Sequence, residues 1–389
     1  MNKKLTSILL ASAMVLSLGL TACGGGKTAE SKAPEATKAA EPAASQAAAP
    51  TESKAAEPAK TEKGKIAYIV GNLGDKSFND SGEKGMNVLR GEGWDVKTIE
   101  TGEAQDKYLD FILDALDAGY EYLVGSSTYS EKFLEVCGEY PDAKFLIFDD
   151  VPADEAAIPA NVAYISYAQN EGSYLVGLMA AGMSKTKTVA VNVGMDNPII
   201  ADFVTGFIQG VKDKDPEVKV IKAAVGSWSD AATMKTICEA QARDNNADVF
   251  YQVAGGCGFG MFEACTGNGT WAIGVDSDQY ADMKEGQNPE QADCILTSML
   301  KEVGNSFVTF FHQVADGKDV WGKYQVLGAA DGAVGYAVNE NFEKNVPQEL
   351  RDEMAAVGES VKAGKLTIKS YFDFKDEAEY NAYLDDARK

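Results

Sequence analysis

Three kinds of segment carry residues able to do chemistry. The first is "GNLGDKSFND", Gly71 to Asp80, which lies between a strand-like apolar run and a helix-like one. A phosphate cradle would need glycine followed directly by lysine and a hydroxyl residue, so that backbone amides and the ammonium converge on one phosphate. Here Asp75 stands before Lys76, and its carboxylate would repel the phosphates such a loop exists to hold. The second kind is a set of carboxylates at the ends of apolar runs, Asp149, Asp150, Asp276 and Asp278, which could be assembled into acid–base pairs or a divalent-cation site. No convincing nucleophile accompanies them, so no residue is assigned as catalytic. The third is the single histidine, His312 in "FVTFFHQVADG". Its apolar helical setting reads as structural. The cysteines lack paired metal-ligand spacing, so neither a metal nor a cofactor is expected.

The elements that must position these residues alternate. Short runs rich in β-branched and aromatic residues, "KIAYIV", "YEYLVG", "KFLIFDD", "NVAYISY", "TVAVNVG", "ADVFYQVAG" and "WAIGVDSD", are separated by stretches with apolar spacings of three and four, such as "DKYLDFILDALDAG", "IADFVTGFIQGVK" and "ATMKTICEAQARDNN". Alternation of this kind predicts an α/β fold with parallel sheets and right-handed crossovers. The region 64–389 is longer than one hydrophobic core usually serves, and its strand–loop–helix series repeats, so two doubly wound lobes are expected, with the cleft beyond the carboxyl ends of the strands.

Ahead of this region, Lys3 and Lys4 precede the apolar stretch "LTSILLASAMVLSLGL", which ends at Thr21-Ala22-Cys23. The run is short for a spanning helix, and small residues lead into the cysteine, the pattern of a bacterial lipoprotein signal over 1–22 with Cys23 as the lipidated residue. Residues 24–63 contain no aromatic residue, Leu, Ile or Val, so 23–63 is expected to be a disordered, lipid-anchored tether. The whole chain carries 36 basic against 59 acidic residues, a formal net charge of −23, which makes nucleic acid a poor partner. With Cys23 lipidated, an odd number of cysteines remains. At least one is therefore a free thiol or pairs between molecules, and Cys257 and Cys265 are too far apart along one helix to bridge.

Taken in order, "DKSFND" with Gly85, "FLIFDD", "NVAYISYAQNEGSYLVGLMAA", "FVTGFIQG", "VGSWSD", "NNADVFYQVAGGCGFG", "WAIGVDSDQ" and "TSMLK" resemble the Bmp/PnrA-like substrate-binding lipoproteins of ABC importers, many of which bind nucleosides. The resemblance covers Lys65 to about Phe310. It implies a periplasmic-binding-protein type I clamp with a three-strand hinge. It further implies that Phe78 and Phe203, one from each lobe, sandwich a flat base. Asp276, Lys301 and Asp149 are then the polar contacts, because ribose hydroxyls both donate and accept and suit carboxylates beside an ammonium. Either Asp149 or Asp150 faces the cleft. Ser77 and Asn79 either cap the helix that begins near Asp80 or, in the case of Asn79, touch ligand. Gly255 and Gly256 permit close backbone approach or form a plain tight turn.

One departure concerns the base edge. Many members carry an aspartate shortly before the DKSFN motif, where this chain has Gly71 and Asn72, and an asparagine both donates and accepts, so the preferred base or ligand class can differ. The expected lobes are 64–166 with 276–320, and 167–275 with 321–389, hinged near Tyr164 to Tyr167, Gly274 to Asp276 and "YQVLGAADGAVGYAV". The expected function is capture of a nucleoside, purine favoured, by a monomeric receptor on the outer face of the cytoplasmic membrane, which delivers it to separate permease and ATPase chains. Riboflavin, a sugar or a surface-sensor role are the alternatives within the same fold. An enzyme such as a nucleoside hydrolase is the rival class, and it lacks its aspartate-rich opening motif.

Overall fold

The computed structural model describes residues 63–389 except Gln287. The expected signal segment, Cys23 and the tether up to residue 62 lie outside the described residues. No described helix is long and apolar enough to cross a membrane.

Two six-stranded sheets organise the chain. The first contains β1 (Lys65–Val70), β2 (Asp95–Glu100), β3 (Tyr122–Ser126), β4 (Lys144–Phe148), β5 (Val162–Tyr167) and β11 (Lys323–Leu327), in the spatial order β11-β5-β4-β3-β1-β2. The second contains β6 (Thr188–Val193), β7 (Lys219–Ala224), β8 (Val249–Val253), β9 (Trp271–Asp276), β10 (Ile295–Lys301) and β12 (Val334–Tyr336), in the order β12-β10-β9-β8-β6-β7. All the pairings are parallel except that of β10 with the short β12. Helices on both faces bury the central strands completely, which is why "IAYIV" and "TVAVNV" read as continuous apolar runs and not as alternating ones.

The chain passes between the lobes at three places. It leaves β5 of the first sheet for the helix Gln169–Met183, which packs on the helix Pro198–Lys214 of the second lobe. It leaves β10 of the second sheet for the helix Val303–Ala315, which packs on the first-lobe helix Phe78–Gly91. Finally it runs from β11 to β12. The middle crossing thus falls at Lys301–Val303, downstream of the Gly274–Asp276 expected from the sequence, and 276–320 divides between lobes instead of belonging to the first. The reason is pairing: β10 lies beside β9 in parallel register, so the second sheet holds the chain for one more strand. Likewise β11, placed with the second lobe by the sequence-based boundary, pairs with β5 of the first.

Glycines set how closely the helices approach. A Cβ on Gly177, Gly206 or Gly210 would run into backbone of the opposing helix in the pair Gln169–Met183 and Pro198–Lys214. A Cβ on Gly85 would do the same against Gly304, where the helices Phe78–Gly91 and Val303–Ala315 cross. Backbone cannot step aside as a side-chain tip can, so a methyl group here overpacks the interface. Gly206→Ala is expected to destabilise by about 1–3 kcal/mol. Gly267→Ala, at a helical position with nothing within 4 Å of its added carbon, should be neutral or mildly stabilising. Urea unfolding of the two variants beside the parent measures the difference.

Candidate functional site

The first-lobe loop is held by its own carboxylates. Asp75 accepts backbone N–H groups of Ser77, Asn79 and Asp80, and Asp80 accepts those of Gly74 and Lys76. The amides that would cradle a phosphate are therefore already taken, and the acceptor at the start of the helix is Asp75, not Ser77 or Asn79. Burial raises Asp75 to about 6 despite the three amides that stabilise its anion. Freed from capping, the Ser77 hydroxyl donates to Asp276 at the end of β9, across the junction of the lobes. Asn79 donates its side-chain amide to the backbone carbonyl of Asn72 on the solvent side of the same loop.

The centre of the site is the Lys301 ammonium. Lys301 ends β10 and is only 2% exposed; its Nζ donates to Asp149 Oδ1 at 2.7 Å. The same nitrogen lies 4.9 Å from the ring centre of Phe78, 4.8 Å from that of Phe203 and 5.4 Å from that of Tyr167. An ammonium removed from water needs a counter-charge, and the negative faces of aromatic rings supply further attraction at such distances. Phe78 stacks on Phe148, which meets Phe307 edge to face, so the first-lobe ring is backed by a fixed aromatic column. Phe203 is buried on the helix Pro198–Lys214, capped at its start by Asn197.

Both site carboxylates occupy left-handed backbone, Asp149 with φ 56° and Asp276 with φ 66°. Asparagine and aspartate tolerate this region better than other side chains, and each of these residues stands where its strand ends. Asp276 is raised above the usual carboxylate range because burial outweighs the opposing effects of Lys301 and of the Ser77 hydroxyl. Of the adjacent acids, Asp149 faces Lys301, whereas Asp150 accepts the N–H of Val151 and is raised, chiefly by burial.

The structure thus brings together Phe78, Phe203, Asp149 and Lys301, with Asp276 joined through Ser77. Asn72, Asn79 and Gly255 do not join that cluster. Asn72 is exposed, and Gly255 has φ 53° in the short turn after β8, beside Trp228. The sequence reading missed Tyr167, whose ring closes the third side around Lys301 while its hydroxyl bonds Ser306 at 2.6 Å. The available signal was positional: Tyr167 ends a strand, as Asp276 and Lys301 do.

Among the described residues no group of three or more His, Cys, Asp or Glu side chains is placed to hold a metal ion. Cys137, Cys238, Cys257, Cys265 and Cys294 are free and buried. Burial pushes the Cys238 and Cys294 thiols up to about 12. His312, expected to be structural, is half-exposed and meets the Glu92 carboxylate at 2.8 Å.

A two-lobed clamp with polar and aromatic side chains converging from both lobes defines a solute-binding protein of the periplasmic type. The model of the family described as "ABC transporter substrate-binding protein PnrA-like" matches residues 64–367, and this chain belongs to that family. Over 325 residues it is 30% identical to the ABC transporter nucleoside-binding protein BmpA of Lactococcus lactis subsp. cremoris, covering 79% of this chain and 89% of the relative. It is 26% identical over 313 residues to basic membrane protein A of Borreliella burgdorferi, covering 79% and 88%. An ABC transporter solute-binding protein from Aeropyrum pernix shares the fold with a TM-score of 0.70 at 22% identity, covering 83% of this chain and 97% of that one.

Removing one partner of a buried pair strands the other. Lys301→Met, close in volume, is expected to cost about 3–5 kcal/mol by leaving Asp149 buried without its counter-charge, and Asp149→Asn in the same chain should return part of that loss. Chemical denaturation of the two singles and the double reads this directly. Because the folded chain holds the Asp276 proton more tightly than the unfolded one, this group's contribution to stability is complete below 3.8 and is lost as pH rises to the folded pKa. Asp276→Asn should flatten that part of a stability–pH curve.

Proposed function

We propose that this chain captures a nucleoside outside the cytoplasm and presents it, clamped between the lobes, to the permease and ATPase of an ABC importer. The observation that carries the reading is the convergence of Phe78 from the first lobe and Phe203 from the second on the Lys301–Asp149 pair. Two rings offer faces to a flat base, and stacking on such a face contributes about 1–3 kcal/mol. The ammonium donates to ribose oxygens, and the carboxylates of Asp149 and Asp276 accept from ribose hydroxyls. The relative named a nucleoside-binding protein, 30% identical over most of both chains, supports the same ligand class.

Ligand contacts drawn from both lobes favour the closed state by their differential affinity, and that closed surface is what a permease distinguishes. The bound molecule leaves unchanged, since the role is delivery and not turnover. Anchoring through a lipid on Cys23 belongs to this proposal, and Cys23→Ser should then move the protein from the membrane fraction to the medium or periplasm.

Calorimetric titration of the full chain with inosine, guanosine and adenosine, their free bases, inosine 5′-monophosphate and riboflavin tests the assignment. Nucleosides should bind; free bases should bind more weakly for lack of the ribose contacts. The monophosphate should bind more weakly still, because the loop amides are held by Asp75 and Asp80. Phe78→Ala should weaken nucleoside binding by roughly ten- to a hundredfold, the range of one lost stacking face. Binding of riboflavin alone would keep the clamp and replace the cargo.

A further inference from the structure

Two second-lobe side chains that belong to no ligand contact converge on one first-lobe carbonyl. The Lys76 oxygen accepts from Gln279 Nε2 at 3.0 Å and lies 2.9 Å from Ser277 Oγ, whose single proton it shares with Asp282 Oδ2 at 3.1 Å. Lys76 precedes Ser77 and Phe78 and has φ 50°, a left-handed conformation that this side chain rarely adopts. The carbonyl is thus held turned toward the second lobe at the residue that launches two members of the site.

Gln279 is buried, and its carboxamide has only one workable orientation. Its Oε1 accepts from the backbone N–H of Val275 at 2.9 Å and from Gln252 Nε2 at 2.6 Å. Gln252 is fixed in turn, because its own Oε1 accepts the N–H of Ala254. Flipping either amide would set donor against donor and acceptor against acceptor, so the backbone at both strand ends dictates that Gln279 Nε2 points at Lys76. The space is reserved by glycine: a Cβ on Gly258 would lie 2.6 Å from Gln252 Cδ, and one on Gly274 would lie 2.6 Å from Gln279 Oε1.

We propose that Gln279 is a positioning residue for the ligand loop: oriented by Gln252, it joins Ser277 in holding the Lys76 carbonyl, and so sets Phe78 and Ser77 in place when the lobes meet, without touching ligand itself. The proposal rests on the clamp reading but not on the identity of the cargo. Two donors sharing one acceptor also make a distinctive energetic prediction. With either removed the carbonyl keeps a partner, and with both removed it is orphaned, so the two substitutions must couple.

The test is hydrogen–deuterium exchange of the full chain without ligand, in the parent, Ser277→Ala, Gln279→Met and the double variant, together with inosine titration of each. Faster exchange confined to 74–80, modest in each single and more than additive in the double, is the expected result, with inosine affinity in the double lower by roughly tenfold. Additive effects, or exchange that rises throughout the second lobe with a matching fall in Tm, would assign the residues to packing alone and overturn the proposal. Because Ser277→Ala leaves Val275 and Gln252 fully bonded, it reports on the loop even if Gln279→Met folds poorly. If the parent binds none of inosine, guanosine and adenosine while loop exchange behaves as expected, the nucleoside reading fails and the positioning role stands. If the parent binds inosine and the double variant binds it equally well, the positioning role fails.

Discussion

A lysine ammonium buried at the end of a strand has few acceptable surroundings, and much of this site follows from providing them. Lys301 must find a counter-charge, and the carboxylate bonded to it stands on the other sheet, at the end of β4. The ion pair therefore ties the carboxyl end of one sheet to that of the other. The remaining space around the nitrogen is walled by Phe78, Phe203 and Tyr167, whose ring faces are the apolar surfaces that a cation tolerates best. A buried pair of this kind adds little stability in itself, since desolvation offsets most of the attraction. What it provides is registry between the two sheet ends, beside the bonds of Ser77 to Asp276 and of Gln279 to the Lys76 carbonyl.

Backbone conformation cooperates with this charge arrangement. Lys76, Asp149 and Asp276 all adopt positive φ without being glycine, and each sits where one lobe addresses the other. Such residues cost free energy that the surrounding structure must supply, and they concentrate where function needs a particular direction. Here the direction is toward the junction: Asp149 meets Lys301, Asp276 meets Ser77, and the Lys76 carbonyl meets Gln279 of the second lobe.

The α/β alternation and the two-sheet division were legible because fully buried parallel strands leave continuous apolar runs, as in "KFLIF" and "TVAVNV". Phe78, Phe203, Asp149 and Lys301 were legible from an ordered set of motifs, and they do come together. The boundary at β10 was not, because an apolar strand reads alike in either sheet, and only pairing with β9 assigns it. Nor was the cap at the start of the first helix. The sequence reading weighed Ser77 and Asn79, whereas the accepting side chain is Asp75, and Ser77 bonds Asp276, 199 residues away, instead. The role of Gln279 was hidden for the same reason: its partner is a backbone carbonyl, which no side-chain pattern announces.

The glycine-to-glycine contact of Gly85 with Gly304 has a mechanical consequence. It brings the helix that follows the middle crossing into backbone contact with the helix that carries Phe78. Everything from Val303 onward along that helix therefore moves with the first lobe, while Lys301, two residues earlier, ends a second-lobe strand. At this one of the three crossings the passage between lobes is confined to Glu302, with Lys301 directly before it. A change of backbone dihedral at Glu302 would turn one lobe against the other while Lys301 stays with the strand of the second.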